Sequence, residues 1–384
     1  MRFRQVSASM TFLFGMCFSG VRVDASPKIG DVAPAMDGIR WLNATPKSIP
    51  GGQEPARHVF VVEFWATWSG PCRKLVPRLT TLHEKYGRQG VIVLSISDEA
   101  EADVQAFLKK FPAMPYHVGV DPNGETSKVW IDDIDGIPHA FVVDRDKRVI
   151  WSGHPADYEG LESAVRGALT GTFDLAAARI AEANQVKYDE LLPALQSLYA
   201  GWEAGGLEAD KRAATERELI TTVEKMIQLC PGDVQPSLIK RQLLRAFGRE
   251  SEADTFGQSM ESRFANSPTA LAEIARTELG TDLNYRRPAV MLRCARKAVE
   301  LSESDDAEIL ALLAQIECEV GMVDAAAAHQ TKALMIVTRP ERGYDGDEQK
   351  LYRDVLEYYR AVKSLHQIEE KPAEPPSSQP AESR

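Results

Sequence analysis

Cys72 is the residue on which chemistry would turn. It sits in the run Glu63-Phe64-Trp65-Ala66-Thr67-Trp68-Ser69-Gly70-Pro71-Cys72-Arg73, where an apolar, strand-like stretch gives way to a tight turn and then a helix. A cysteine in the first turn of a helix meets the positive end of the helix dipole and open backbone N–H groups, both of which favour a thiolate. Ser69 stands three residues earlier. A serine there can cap the helix, and Pro71 at an early helical position gives up no hydrogen bond. Glu63 lies six residues before Ser69. On a buried strand its carboxyl has a raised pKa; at a strand edge it is simply solvated. His139 either approaches Cys72 as a base or serves as a packing or surface residue.

The elements that must hold these groups are visible as two textures. Apolar runs of strand length at 58–65, 91–97, 116–120, 140–144 and 148–151 alternate with helical periodicity over 70–86, 101–110 and 158–169. That alternation predicts an α/β domain over 26–170, with a mixed sheet flanked by helices. Asp121-Pro122-Asn123-Gly124 and Asp144-Arg145-Asp146-Lys147 carry turn chemistry between elements.

With its strand, turn and cysteine-bearing helix, the stretch from Lys28 to His154 resembles the thioredoxin superfamily, specifically exported thiol–disulfide oxidoreductases of the TlpA/ResA type. Gly136-Ile137-Pro138 looks like the family's cis-proline loop, and 140–144 like the strand that follows it. The resemblance implies a substrate-binding surface of Trp68, Gly70, Pro71, Ile137 and Pro138. It also implies a catalytic set of Cys72, the position of Ser69, and Glu63 as a buried acid. The family motif is Trp-Cys-Gly-Pro-Cys, and Ser69 occupies the place of its first cysteine. That thiol attacks the substrate disulfide and the second resolves the mixed disulfide. A serine hydroxyl ionises far less readily and forms no disulfide, so dithiol exchange is impaired. Three readings stay open. The domain is a redox-dead scaffold capped by Ser69, or Cys72 acts as a monothiol with a second thiol from elsewhere, or the Trp68 and Pro138 surface binds thiol or disulfide proteins non-covalently.

From residue 173 to 365 the chain reads as all helical. Gly248 precedes Ala253, and Gly321 precedes Ala326, by the same five residues, and Cys230-Pro231 and Ser267-Pro268 mark breaks 37 residues apart. Such spacing suits stacked helix pairs. Leu313-Ala314, Gly321, Ala326 and Ala333-Leu334 resemble the tetratricopeptide pattern, although Met291 fills the small-residue position of the preceding unit. Helix pairs of this kind present a groove for a protein or peptide partner.

Of 384 residues, 45 are Lys or Arg and 56 Asp or Glu, a net charge of −11 that argues against a nucleic-acid partner. Arg2 and Arg4, the apolar run from Met10 to Phe18 and the small-residue site ending at Ala25 predict an export leader over 1–25. No later segment is apolar for the length of a membrane span. Residues 367–384, rich in Pro, Glu and Ser, are expected to be a disordered tail. Cys294 and Cys318 fit poorly as a bridged pair, and ordinary thiols are expected there. Histidine spacing and the absence of a CxxC pair or a glycine-rich phosphate loop indicate neither a metal nor a cofactor.

Overall fold

The computed structural model describes residues 26–369, apart from 37, 53–57, 111–113, 282–285, 304 and 343. The expected leader and residues 370–384 lie outside the described residues.

Six strands form one sheet in the order β1-β4-β3-β2-β5-β6. In chain order they are β1 (Arg40–Trp41), β2 (Val59–Phe64), β3 (Val91–Ser97), β4 (His117–Val120), β5 (His139–Val143) and β6 (Val149–Gly153). β2, β3 and β4 run parallel, whereas β1, β5 and β6 each run antiparallel to their neighbours. The two central strands, β2 and β3, are almost continuously apolar because both of their faces are covered. Val59, Val61, Val91 and Val93 pack on one side with helices α1 (Gly70–Tyr86) and α4 (Tyr158–Thr170), through Val76, Leu79, Leu161 and Val165. Helix α2 (Glu101–Lys110) adds Val104 to this cluster. Phe60, Val62, Phe64, Leu94 and Ile96 face the other side, where Phe141 and Trp130 of helix α3 (Glu125–Ile131) close the core.

Helix α3 and strand β1 are the elements that the periodicity does not reveal. α3 has 7 residues, too few for an apolar stripe to repeat. It forms because the Asp121 carboxylate accepts the Ser127 N–H at 2.7 Å and Gly124 takes a left-handed φ of 67° ahead of the first turn. Its Trp130 is then wholly buried.

The described residues divide into two compact units, one running to Arg263 with Arg339–Tyr344 added, the other comprising Phe264–Thr338 and the chain from Asp345. This division differs from a boundary near residue 171, and helix α5 (Leu175–Glu203) is the reason. Leu175 and Ala178 pack on the sheet's Phe60/Phe141 cluster, the Arg179 guanidinium donates to the Ile29 carbonyl at 3.0 Å, and the Glu182 carboxylate accepts the Ile29 N–H at 3.1 Å. Further along, Tyr188, Leu195 and Trp202 enter a separate core with helices α6 (Ala209–Leu229), α7 (Gln235–Ala246) and α8 (Glu250–Arg263). One helix thus belongs to both cores.

The second unit holds α9 (Pro268–Leu279), α10 (Pro288–Leu301), α11 (Ala307–Glu319), α12 (Val323–Val337) and α13 (Gly346–Glu369). α13 extends through Glu369, so 367–369 are helical rather than tail. Gly321 follows α11 with a φ of 82° and Gly248 precedes α8 with 73°, left-handed turns that favour glycine. Ala253 and Ala326, five residues after these glycines, are each fully buried.

Trp130→Ala is expected to lower the stability of the sheet-bearing unit by about 3–5 kcal/mol, whereas Val129→Ala on the exposed side of α3 changes it by less than about 0.5 kcal/mol. Urea midpoints of the two variants, followed by far-UV circular dichroism, check this.

Candidate active site

The site is built where β2 ends and α1 begins. Side chains alternate along β2, so Glu63 falls on the same side as Val59 and Val61, the side covered by α1. Parallel register sets Glu63 beside Ser95 of β3, and antiparallel register sets it beside Ala140 of β5. Glu63 is 1% exposed, and the Ser95 hydroxyl donates to its carboxylate. Burial pushes the Glu63 pKa up to about 7, against which the Ser95 hydrogen bond works in the opposite direction. Tyr116 is also buried, its hydroxyl has no hydrogen-bond partner among the described residues, and burial followed by the Glu63 charge raises its pKa.

Ser69 caps α1. Its backbone is extended, with φ −79° and ψ 109°, and its hydroxyl accepts the Cys72 N–H at 3.4 Å. Pro71 sits in the first turn, where no intrahelical N–H is required. Cys72 is wholly buried in the cluster of Trp65, Val76 and Leu79. Two influences on the thiol compete: the helix N-terminus favours its ionisation and burial opposes it. Burial wins, and the Cys72 pKa is pushed up to about 11, with the Ser69 hydrogen bond lowering it and the Glu63 charge raising it further. At pH 7 a thiol with that pKa is ionised in only about one molecule in 10,000.

The turn between β2 and α1 is gripped from both sides. The Glu99 carboxylate accepts the Thr67 N–H at 2.6 Å through one oxygen and the Thr67 hydroxyl at 2.7 Å through the other. The Ser97 hydroxyl donates to Glu99 at 3.0 Å, and the Glu99 N–H returns to Ser97 Oγ at 3.2 Å. On the opposite side, Arg73 Nη1 donates to the carbonyls of Thr67 and Trp68 at 3.2 and 3.3 Å. Trp68, between these contacts, is 71% exposed.

Ile137–Pro138 is a cis peptide, as the resemblance implied, and Gly136 before it has a φ of 95°. Ile137 is half-buried and packs against the cluster containing Trp65 and Cys72. Pro138 is buried, Gly70 half-buried and Pro71 exposed.

Residues 30–169 match the family model described as Redoxin. Over 90 residues the chain is 32% identical to the thiol-disulfide oxidoreductase ResA of Bacillus thuringiensis subsp. konkukian (strain 97-27), a match covering 23% of this chain and 50% of that protein. The sheet-bearing domain belongs to the thioredoxin superfamily. Protein FixW of Rhizobium leguminosarum is 29% identical over 140 residues, covering 34% of this chain and 62% of FixW. The chain spans about half the length of the ResA relatives it matches. Among solved structures, a thiol:disulfide interchange protein from Bacteroides sp. is similar at 23% identity and a TM-score of 0.31, covering 37% of this chain and 93% of that one.

The thioredoxin-like fold brings Glu63, Ser69 and Cys72 to one side of the sheet. His139 is not part of this group. It pairs with Phe64 in the sheet, lies 4.9 Å from the Phe141 ring, and its Nε2 is 2.9 Å from Ser152 Oγ. Phe64 and Phe141 line the opposite apolar cluster, so one step of strand alternation removes His139 from Cys72. Burial lowers its pKa to about 4. The alternative of a solvated Glu63 at a strand edge is likewise set aside, because β2 is central and Glu63 is buried. Ser95, Glu99 and Tyr116 escape a reading of the sequence: they come from β3, its following loop and the residue before β4, and only strand register carries them to the motif. The one local hint is polar residues, Ser95 and Ser97, alternating in an otherwise apolar strand.

Glu63 gives stability a pH dependence whose sign follows from its raised pKa. The folded chain holds this proton more tightly than the unfolded one, so the contribution is complete below the ordinary value of 4.5 and is lost as pH rises through about 7. Glu63→Gln lacks that slope and is expected to exceed the parent stability above pH 7 by about 3 kcal/mol, the gap closing on acidification; urea midpoints across this range measure it. For Cys72, thiol titration of the native protein at pH 7 is expected to give the same fast-reacting count with and without Cys72→Ala. The denatured parent then reveals the additional thiol.

Proposed function

We propose that this is an exported thioredoxin-fold protein of the thiol–disulfide oxidoreductase family that works by binding a protein partner and is impaired in dithiol exchange. The observation that carries this is the placement of Ser69: an N-cap hydroxyl, 5% exposed, stands where the family's attacking thiol would be, and the remaining Cys72 is sealed beneath it. Reducing a substrate disulfide to two thiols takes two thiols on the protein, which end joined as a disulfide, and Ser69 supplies none. What the site offers to a partner is the exposed Trp68 and Pro71, an aromatic face of the kind that anchors protein interfaces. The family's thiol or disulfide proteins are the partner class this surface suits. The helical region, read as tetratricopeptide-like, supplies a second binding surface, a reading supported by the matching glycine turns at Gly248 and Gly321 with buried alanines after each.

A monothiol mechanism has one observation in its favour, the presence of Glu63 as a buried acid on the side of the sheet covered by α1; its charged form works against the mechanism, because it raises the Cys72 pKa further. It requires the turn to open, since a protonated thiol without exposed surface neither ionises nor meets a disulfide.

Reductase turnover on a model protein disulfide separates these. Wild type and Cys72→Ala are expected to be silent, Ser69→Cys to turn over, and Ser69→Cys combined with Cys72→Ala to be silent again. Turnover by wild type that Cys72→Ala abolishes would instead establish Cys72 as a monothiol nucleophile, with its resolving thiol elsewhere.

A further inference from the structure

We infer that Glu99 is a positioning residue for the motif turn: its carboxylate, opposed by the Arg73 guanidinium, holds Thr67 so that Trp68 is presented to solvent in one orientation. Glu99 lies two residues past β3, and nothing in its local sequence connects it with the motif. Yet its two oxygens take the only two hydrogen-bond donors that Thr67 possesses, the backbone N–H and the hydroxyl, at 2.6 and 2.7 Å. Short hydrogen bonds to a carboxylate are the stronger class, and a fork of two fixes direction as well as distance. Arg73 completes the arrangement by donating to the carbonyls of Thr67 and Trp68. Among the described residues the hydrogen bonds of Glu99 go to Thr67 or Ser97, and the Ser97 exchange anchors the carboxylate to the end of β3.

The purpose of such a grip follows from what it surrounds. An indole that is 71% exposed has little packing of its own to orient it, and an interface anchor gains affinity when its conformation is set before binding. In the segment from Thr67 to Ser69 only Ser69 carries backbone–backbone hydrogen bonds among the described residues, its N–H to the Ala66 carbonyl at 3.2 Å and its carbonyl from the Arg73 N–H at 3.1 Å; Thr67 and Trp68 have none. Orientation at Thr67 and Trp68 therefore has to come from side chains, and among the described residues Glu99 and Arg73 reach their backbone.

This inference rests on Trp68 being the partner-facing group, but its test reads the turn itself and needs no partner. The full chain is labelled with 5-fluorotryptophan, and the Trp68 fluorine line is assigned by its loss in Trp68→Phe. Wild type and Thr67→Ser, which keeps both donors, are expected to give one sharp Trp68 line at the same position. Glu99→Gln, which sets an amide NH2 against a donor, and Thr67→Val, which removes the hydroxyl, are expected to shift or broaden that line while the lines of Trp130 and Trp151 stay in place. A Trp68 line unmoved in both variants overturns the inference. So does a change that spreads to Trp130 and Trp151, because the contacts would then be supporting the core rather than directing the turn. Loss of turnover in Ser69→Cys, by contrast, would count against the binding and exchange reading without touching this one.

Discussion

The parallel pairing of β2 with β3 is the constraint from which the rest of the site follows. It puts Glu63 beside Ser95 at the centre of a sheet covered on both faces, and it delivers the end of β3, with Ser97 and Glu99, to the turn that starts α1. A slip of one residue would turn Glu63 toward Phe64's side of the sheet and expose the opposite set of side chains to α1. The apolar residues that flank Glu63 on both strands forbid that slip, since Val59, Val61, Val91 and Val93 would all have to exchange places with Phe60, Val62, Leu94 and Ile96.

At Cys72, opposing physical effects are resolved by packing. The helix N-terminus and the Ser69 hydrogen bond both pull the thiol toward ionisation; contact with Trp65, Val76 and Leu79 takes it out of water and outweighs them. The same burial acts on Glu63, so acid and thiol are both neutral groups over most of the acidic and neutral range. The packing that makes the fold thus opposes ionisation of both groups.

The helical half is joined to this core by more than a linker. α5 begins on the sheet's aromatic cluster, where Arg179 donates to the Ile29 carbonyl and Glu182 accepts the Ile29 N–H, and ends in a core of its own around Trp202. At Gly30 the φ of 93° favours glycine, and a side chain there would displace the Arg179 guanidinium from the Ile29 carbonyl. Composition changes near residue 171, but packing does not respect that change, because a long amphipathic helix can satisfy two cores at once.

By itself the sequence determined the local elements and the chemical identity of the motif. Strand-length apolar runs forecast β2 and β3, helical periodicity forecast α1, and the run from Glu63 to Arg73 holds a single cysteine with a serine three residues before it. These are properties of neighbouring residues, and neighbouring residues suffice to read them. Only tertiary structure decided that Glu63 is buried rather than solvated, that His139 belongs to the other face, that Cys72 is sealed and hard to ionise, and that Glu99 grips Thr67. Each of those depends on strand order, register or solvent exclusion, which arise from contacts between residues far apart in the chain and leave no periodic trace in any one segment.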